Sequence, residues 1–267
     1  MMPTSPMKSP MTKSMQRQAW SWIAAALSLS LLACGGGGGN GDDDDADDAD
    51  DVGDIDAGPD IDGGPGTRCG FAGDDFLPYA AGNTWTYRLT DLETGERATK
   101  DQRIDPEMNH PDYGQVFVQV TGKINGSTVS LARREGERVL RFQQEDLDAT
   151  GALERTTIYD PPQVRIDETS EHTAMGAAWD ETYTEIVNDP DGVELSRTET
   201  VDHNEVLGVD DPCDSPMGRF RCLRVRRTRL AGGVAEKEFQ FARGIGKIRE
   251  VGSNQLEELT DCGDRAR

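Results

Sequence analysis

Residues 219–242 read RFRCLRVRRTRLAGGVAEKEFQFA, two alternating runs about Ala231-Gly232-Gly233. Taken as a three-residue hairpin loop, this centre sets Val225 opposite Phe239 and Leu223 opposite Phe241 on one face. The other face then pairs Arg226 with Glu238, Arg224 with Gln240 and Thr228 with Glu236. A two-residue loop would oppose Val225 to Gln240 and scatter the apolar residues over both faces. A one-residue slip exchanges the two faces of a strand, so burial selects the first register. The six arginines of this run are expected on a solvent face, partly neutralised by Glu236 and Glu238. The alternative is a site for an anionic head group or polyanion.

The same period-two alternation extends on both sides. Trp85, Tyr87 and Leu89 share a face, as do Val116, Val118 and Val120. Asn125-Gly126 is a hairpin signal leading to Val129 and Leu131. Val139 and Arg141 alternate with Leu140 and Phe142, followed by Ile158, Val164/Ile166 and a long run through Trp179, Tyr183 and Val187. Asp189-Pro190-Asp191-Gly192 is a second strong turn, with Val193, Leu195 and Val201 beyond it. No twelve-residue segment keeps a helical apolar pattern. These features predict one all-β domain over residues 67–267. Its architecture is expected to be an antiparallel meander of about ten to twelve strands in a strongly curved sheet, half-barrel or open barrel.

The charge is unevenly spread. The chain of 267 residues carries 28 Lys+Arg and 50 Asp+Glu, and residues 42–62 hold 12 Asp with no basic residue. Residues 67–267 retain 25 basic and 38 acidic side chains, a net of −13. Affinity for nucleic acid comes from cations that displace counterions, so none is expected here. Residues 19–33 are a 15-residue apolar run behind Lys8, Lys13 and Arg17, the order of a secretory signal. Met7, Met11 and Met15 are all possible starts, and a start at Met15 leaves a 19-residue signal.

Leu31-Leu32-Ala33-Cys34 resembles the lipobox of bacterial lipoproteins. The resemblance implies a signal peptide over 1–33, diacylglycerol on the Cys34 sulfur, cleavage before Cys34 and acylation of the new amine, with palmitate among the usual chains. Anchoring to a membrane of the cell envelope follows, because several acyl chains bind far more tightly than one. Gly35 after the cysteine resembles the pattern of an outer-membrane destination. Residues 34–66 then read as a disordered Gly/Asp-rich tether, with too little to bury to offset its ordering entropy. It would reach on the order of 100 Å fully extended. Asp54, Asp56, Asp60 and Asp62 faintly resemble a calcium loop. No Glu stands at the twelfth position to complete an EF-hand, so no defined metal site is expected.

Four cysteines remain. Cys213 and Cys222 flank a turn containing Pro216 and Gly218, and Cys69 and Cys262 bracket the domain. Three connectivities are possible. The expected one is Cys213–Cys222 with Cys69–Cys262, the long loop contributing ~4 kcal/mol in the chain-entropy model. Zinc is not expected, since neither a CxxC pair nor a Cys-His cluster is present.

FLPYAAGNTWTYRL (76–89), GRFRCLRVRR (218–227) and FQFARGIGKIREVG (239–252) resemble the signature segments of exported bacterial β-domain proteins, including TapB-like proteins. The resemblance spans most of residues 76–260 and implies a β domain without an assigned catalytic residue. On these segments Gly82-Asn83 suits a tight turn, Trp85 and Tyr87 are core or rim anchors, and Gly244 and Gly246 suit a bend.

Catalytic signatures are missing. His110, His172 and His203 stand apart, Gly244–Lys247 lacks the spacing of a phosphate loop, and Asp202-His203-Asn204-Glu205 alternates faces in what reads as a turn. Asn125-Gly126-Ser127 matches a glycosylation sequon but reads as a turn. No cofactor is expected, and the chain reads as a non-enzymatic, monomeric binding or structural module with a filled inner face. The second reading is a carrier of lipid or another hydrophobic ligand, with an apolar concavity lined by Trp85, Tyr87, Phe239 and Phe241 and no buried charge. A hydrolase would need a histidine or a carboxylate pair converging in a cleft. If both disulfides form, the exported chain should weigh four hydrogens less before reduction than after it; an unchanged mass would remove both bridges.

Overall fold

The computed structural model describes residues 69–264, apart from Ala72 and Val234. The signal segment, Cys34, the tether and its Asp54–Asp62 motif lie outside the described residues.

Twelve strands follow one another: β1 (Asn83–Asp91), β2 (Arg97–His110), β3 (Gly114–Lys123), β4 (Gly126–Glu135), β5 (Arg138–Leu147) and β6 (Leu153–Asp167). Then come β7 (Ala178–Asn188), β8 (Glu194–Ser215), β9 (Gly218–Ala231), β10 (Ala235–Ala242), β11 (Gly246–Val251) and β12 (Gln255–Asp264). Each pairs antiparallel with its sequence neighbours, and β1 pairs with β12 from Asn83↔Asp264 to Asp91↔Gln255. The sheet is therefore closed, an up-and-down barrel rather than an open one. Closure leaves no bare edge strand to recruit another chain.

The β9–β10 hairpin has the register Val225↔Phe239, Leu223↔Phe241, Arg226↔Glu238, Arg224↔Gln240 and Thr228↔Glu236. Asn125-Gly126 turns β3 into β4, where a Cβ on Gly126 would lie 2.1 Å from the Leu147 carbonyl oxygen. Residues 158–166 lie within one strand, β6. Asp202–Glu205 lie inside β8 and not in a turn, because they continue an uninterrupted ladder with β7.

The hairpins joining β2–β3, β4–β5, β6–β7, β8–β9 and β10–β11 share one end of the barrel, which residues 69–71 and 73–82 plug. Phe71, Phe76, Leu77 and Tyr79 are buried there, with Phe71 5.2 Å from the Trp85 ring. The Trp85 indole N–H donates to the Ile245 carbonyl at 2.6 Å, and a Cβ on Gly246 would stand 3.0 Å from that nitrogen. Gly244 and Gly246 thus build the tight β10–β11 turn around the indole, not a bend within a strand. Cys69 is bonded to Cys262 of β12, and Cys213 of β8 to Cys222 of β9, with Cα separations of 5.1 and 6.1 Å.

The plug is pinned by one carboxylate. Glu168 accepts the Phe76 and Leu77 backbone N–H groups at 2.8 and 3.1 Å and the Arg134 guanidinium at 2.9 Å. Arg134 also donates to the Leu77 carbonyl at 2.8 Å.

Val116, Val118 and Val120 share a face, but it is the outer one. Their alternates Gln119 and Thr121 line the lumen, while Val116 joins Leu131 and Phe142 in a separate cluster with Val118, Leu140 and Tyr113. Glu168→Ala should destabilise the chain by about 3 kcal/mol, since it strands two amide donors and takes one acceptor from the Arg134 guanidinium; urea denaturation with the disulfides intact measures the loss.

Candidate functional site: a charged barrel lumen

Above the plug the barrel encloses a cavity of about 810 Å³. Its floor includes Leu77, and its rim includes Ile124 and Asn125 of the β3–β4 turn, Ala235 of β10 and Gln255 of β12. The mouth therefore lies at the end opposite the plug. Eight strands make a barrel that side chains just fill, and twelve leave room. The volume is in the range of pockets that hold small molecules.

Tyr87, Phe239 and Phe241 line this cavity, whereas Trp85 is held in the plug core beneath it. Amide and hydroxyl groups of Gln102, Gln119, Thr121, Thr128, Ser130 and Gln144 share the wall. Two charged clusters complete it. The inner face is therefore neither filled nor an apolar concavity free of charge, and both expectations are corrected. The cause is the barrel's width, which leaves the inward residues of the upper half in contact with open space.

The first cluster joins β2, β10, β11 and β12. Lys247 binds both Glu250 and Glu257, whose positions face each other across the β11–β12 pair; its bond to Glu257 is 2.7 Å. Lys100 also binds Glu257, and Lys237 holds Glu250 at 2.6 Å. The Lys100 and Lys247 ammonium groups lie 5.0 and 5.1 Å from the centre of the Tyr87 ring. Burial works against the charge of Lys247, but Glu250 and Glu257 outweigh it and hold the ammonium above the ordinary lysine range. Burial also opposes ionisation of Glu250, and there Lys247 and Lys237 prevail, keeping it below the usual carboxylate range. Lys100 goes the other way. Burial, reinforced by the Lys247 charge, lowers it from 10.5 to about 8.

The second cluster spans β5 to β9. The Tyr183 hydroxyl donates to Asp202 at 2.8 Å and accepts from Gln163 at 2.7 Å and from Arg229 at 3.0 Å. Arg229 also reaches Asp202 at 3.1 Å and Glu185 at 3.4 Å. Gln163 turns its amide oxygen to Arg141, which donates to Gln144 at 2.6 Å and lies 4.5 Å from the Tyr159 ring centre. Arg227 donates to Asn204 at 2.9 Å and to the Val164 carbonyl at 3.2 Å. Arg165 lines the cavity beside them.

The arginine run therefore divides. Arg224 and Arg226 face outward and bind Glu238 at 3.0 Å and Glu205 at 2.5 Å. Arg227 and Arg229 face the lumen, because Arg226-Arg227 breaks the polar phase and β9 returns its next odd-numbered positions to the face of Val225. Asp202 and Asn204 likewise point inward, while His203 and Glu205 point outward, with His203 2.6 Å from Asp180. These four residues cannot enclose one ion. His172 lies 2.8 Å from Asp167 and stacks on Trp179, and His110 stacks on Tyr113; neither lines the cavity. Lys100, Arg141, Arg165, Lys247, Glu250 and Glu257 were not singled out from the sequence as site residues. Their signal is a charge in phase with apolar neighbours, as in Val139/Arg141 and Ile248/Glu250.

No protein-family model matches the chain, and no curated protein matches it. Two solved structures are similar in fold. One is an exported protein of Bacteroides fragilis, provisionally so described and assigned a YmcC-like fold. It is 16% identical, with a TM-score of 0.49 over 71% of this chain and 99% of its own. The other is provisionally described as a lipoprotein of Parabacteroides distasonis. It is 9% identical, with a TM-score of 0.40 over 72% of this chain and 99% of its own. The resemblance to TapB-like proteins has no counterpart in these comparisons.

Lys247→Met should cost about 3–5 kcal/mol, since it leaves Glu250 and Glu257 facing each other with only their outer partners. Lys100→Met should cost much less, because Lys247 still holds Glu257. The native Lys100 binds fewer protons than the unfolded one between pH 8 and 10.5, so native stability relative to Lys100→Met should rise across that window. The gain is about 3 kcal/mol, read from paired denaturation curves.

Proposed function

We propose that this protein is a lipid-anchored lipoprotein of the bacterial cell envelope whose plugged barrel is a non-catalytic receptor for a small polar ligand. Cys34 carries the lipid, residues 35–66 are the tether, and the outer membrane is the destination. The observation that supports the receptor reading is the 810 Å³ lumen, walled by amides, hydroxyls and charges and bounded by hairpin turns at its mouth. Such a wall offers a polar molecule its hydrogen bonds and leaves a lipid chain facing buried charge, which argues against the hydrophobic carrier.

The same wall argues against hydrolysis. A carboxylate pair that cleaves glycosides keeps one member protonated, whereas burial of Glu250 and Glu257 is overcome by their lysines and both are held ionised. Lys100, with a pKa of about 8, has its ammonium on Glu257 and over the Tyr87 ring. No histidine among the described residues lines the lumen to complete a proton relay with it.

Two measurements test this reading. Labelled palmitate should enter the chain and be lost in Cys34→Ser. Native mass spectrometry after exposure of the full chain to an envelope extract should show an added mass of small-molecule size that disappears on denaturation. Thr121→Trp, which fills the lumen near its mouth, should abolish that mass; a bare wild-type chain, or equal capture by Thr121→Trp, would overturn the receptor.

A further inference from the structure

The lumen inverts the charge of the domain around it. Residues 67–267 carry a net of −13, yet eight cationic side chains and three carboxylates line the cavity. Part of that excess is neutralised. Lys100, Lys237 and Lys247 share Glu250 and Glu257, and Arg229 is held by Asp202 and Glu185. Lys123 shares Asp146, just outside the lining, with Arg155, at 3.0 and 2.6 Å.

Three arginines remain. Arg227 has the charge of Glu181 nearby, but among the described residues its hydrogen bonds go to the Asn204 side chain and the Val164 carbonyl. Among the described residues Arg141 donates to the neutral amides of Gln144 and Gln163 and to no carboxylate, and its buried Nε has no acceptor. Arg165 forms no hydrogen bond or ion pair among the described residues, although it lines the cavity.

These three groups converge. Arg141 of β5 is directly opposite Gln163 of β6, and Arg165 is the next residue of β6 on that face. Arg227 reaches from β9 to the Val164 carbonyl, which belongs to the peptide bond joining Val164 to Arg165. The Arg227 guanidinium also lies 5.5 Å from the Phe239 ring centre, so one side of the group is apolar. Buried guanidinium N–H groups without acceptors are costly unless a ligand supplies the missing oxygens. With Arg227 set against Glu181, Arg141 and Arg165 leave two positive charges without a carboxylate.

We propose that Arg141, Arg165 and Arg227 form the binding site for a doubly charged oxyanion, of the kind a phosphate monoester carries, on the small ligand held in the lumen. The claim rests on the receptor reading and gives it a ligand class. A phosphate monoester brings close to two negative charges at neutral pH and three acceptor oxygens. Guanidinium forks match those oxygens in pairs. The surrounding glutamines, threonines and Ser130 are then left for the uncharged polar part of the ligand.

Calorimetry on the full chain tests this, with inorganic phosphate as the probe and acetate and malonate as comparisons. Phosphate should bind saturably, and Arg165→Gln or Arg141→Gln should weaken it by about tenfold or more. Arg226→Gln, on the outer face, should leave it unchanged. Malonate binding as well as phosphate supports a dianion site with carboxylates as its source; acetate binding as tightly as phosphate overturns it. In anion-free buffer Arg165→Gln should hold or raise the melting temperature, because it relieves repulsion with Arg141. A fall would make Arg165 a structural residue and overturn the proposal, as would absent phosphate binding or equal binding by Arg165→Gln. A neutral molecule captured equally by wild type and Arg165→Gln overturns the anion site and leaves the receptor standing. Phosphate binding that survives in Arg226→Gln and fails in Arg165→Gln supports both.

Discussion

Twelve strands enclose more cross-section than their inward side chains can fill, and the arrangement of the interior follows from that excess. At about eight strands, inward residues meet across the barrel and make an ordinary core. Here they meet only where the plug enters, bringing Phe71, Phe76, Leu77 and Tyr79 against Trp85. Beyond the plug the inner face has no apolar partner to pack against. Charged and amide side chains can occupy it because the space they face admits solvent and small solutes. The division of one continuous inner surface into a dry floor and a polar cup is thus a consequence of circumference.

Within the cup, the two charged clusters are built differently. Lys247 is a hub: it neutralises two carboxylates that would otherwise repel each other across adjacent strands, and Lys100 and Lys237 flank them. That cluster is self-sufficient and ties β2, β10, β11 and β12 together. On the opposite side, Arg229, Asp202, Tyr183 and Gln163 form a chain of hydrogen bonds that ends on Arg141. This chain orients a guanidinium without cancelling its charge, because its last link is an amide. The contrast between a closed ion-pair cluster and a chain ending in an uncancelled charge separates scaffold from the proposed binding surface in the same lumen.

Much of the strand pattern could be read from alternation. The β9–β10 register followed from Val225, Leu223, Phe239 and Phe241 sharing a face, since a single-residue slip would have scattered them. What alternation does not state is which face is inside. Val116, Val118 and Val120 look like core residues, yet their face is the outer one, where Leu131, Phe142 and Tyr113 cover it, and Gln119 and Thr121 turn inward. Alternation suggests a solvent face for Arg227 and Arg229 for the complementary reason: arginine on a surface is the commoner case, and only a wide barrel places it inside. The β1–β12 closure joins the first and last strands, and no local motif announces a pairing at that separation. Arg141 was legible only as an anomaly, a charge in step with Val139.

The Cys69–Cys262 bond makes a single covalent ring of everything between those residues, a sequence separation of 193 that includes the plug and nearly all of the barrel. A pull applied between the two chain ends passes from Cys69 to Cys262 through sulfur and bypasses the ring. Neither the plug nor the β1–β12 seam then lies in series with the load, so the chain can be drawn taut at its ends without unthreading the floor of its own cavity.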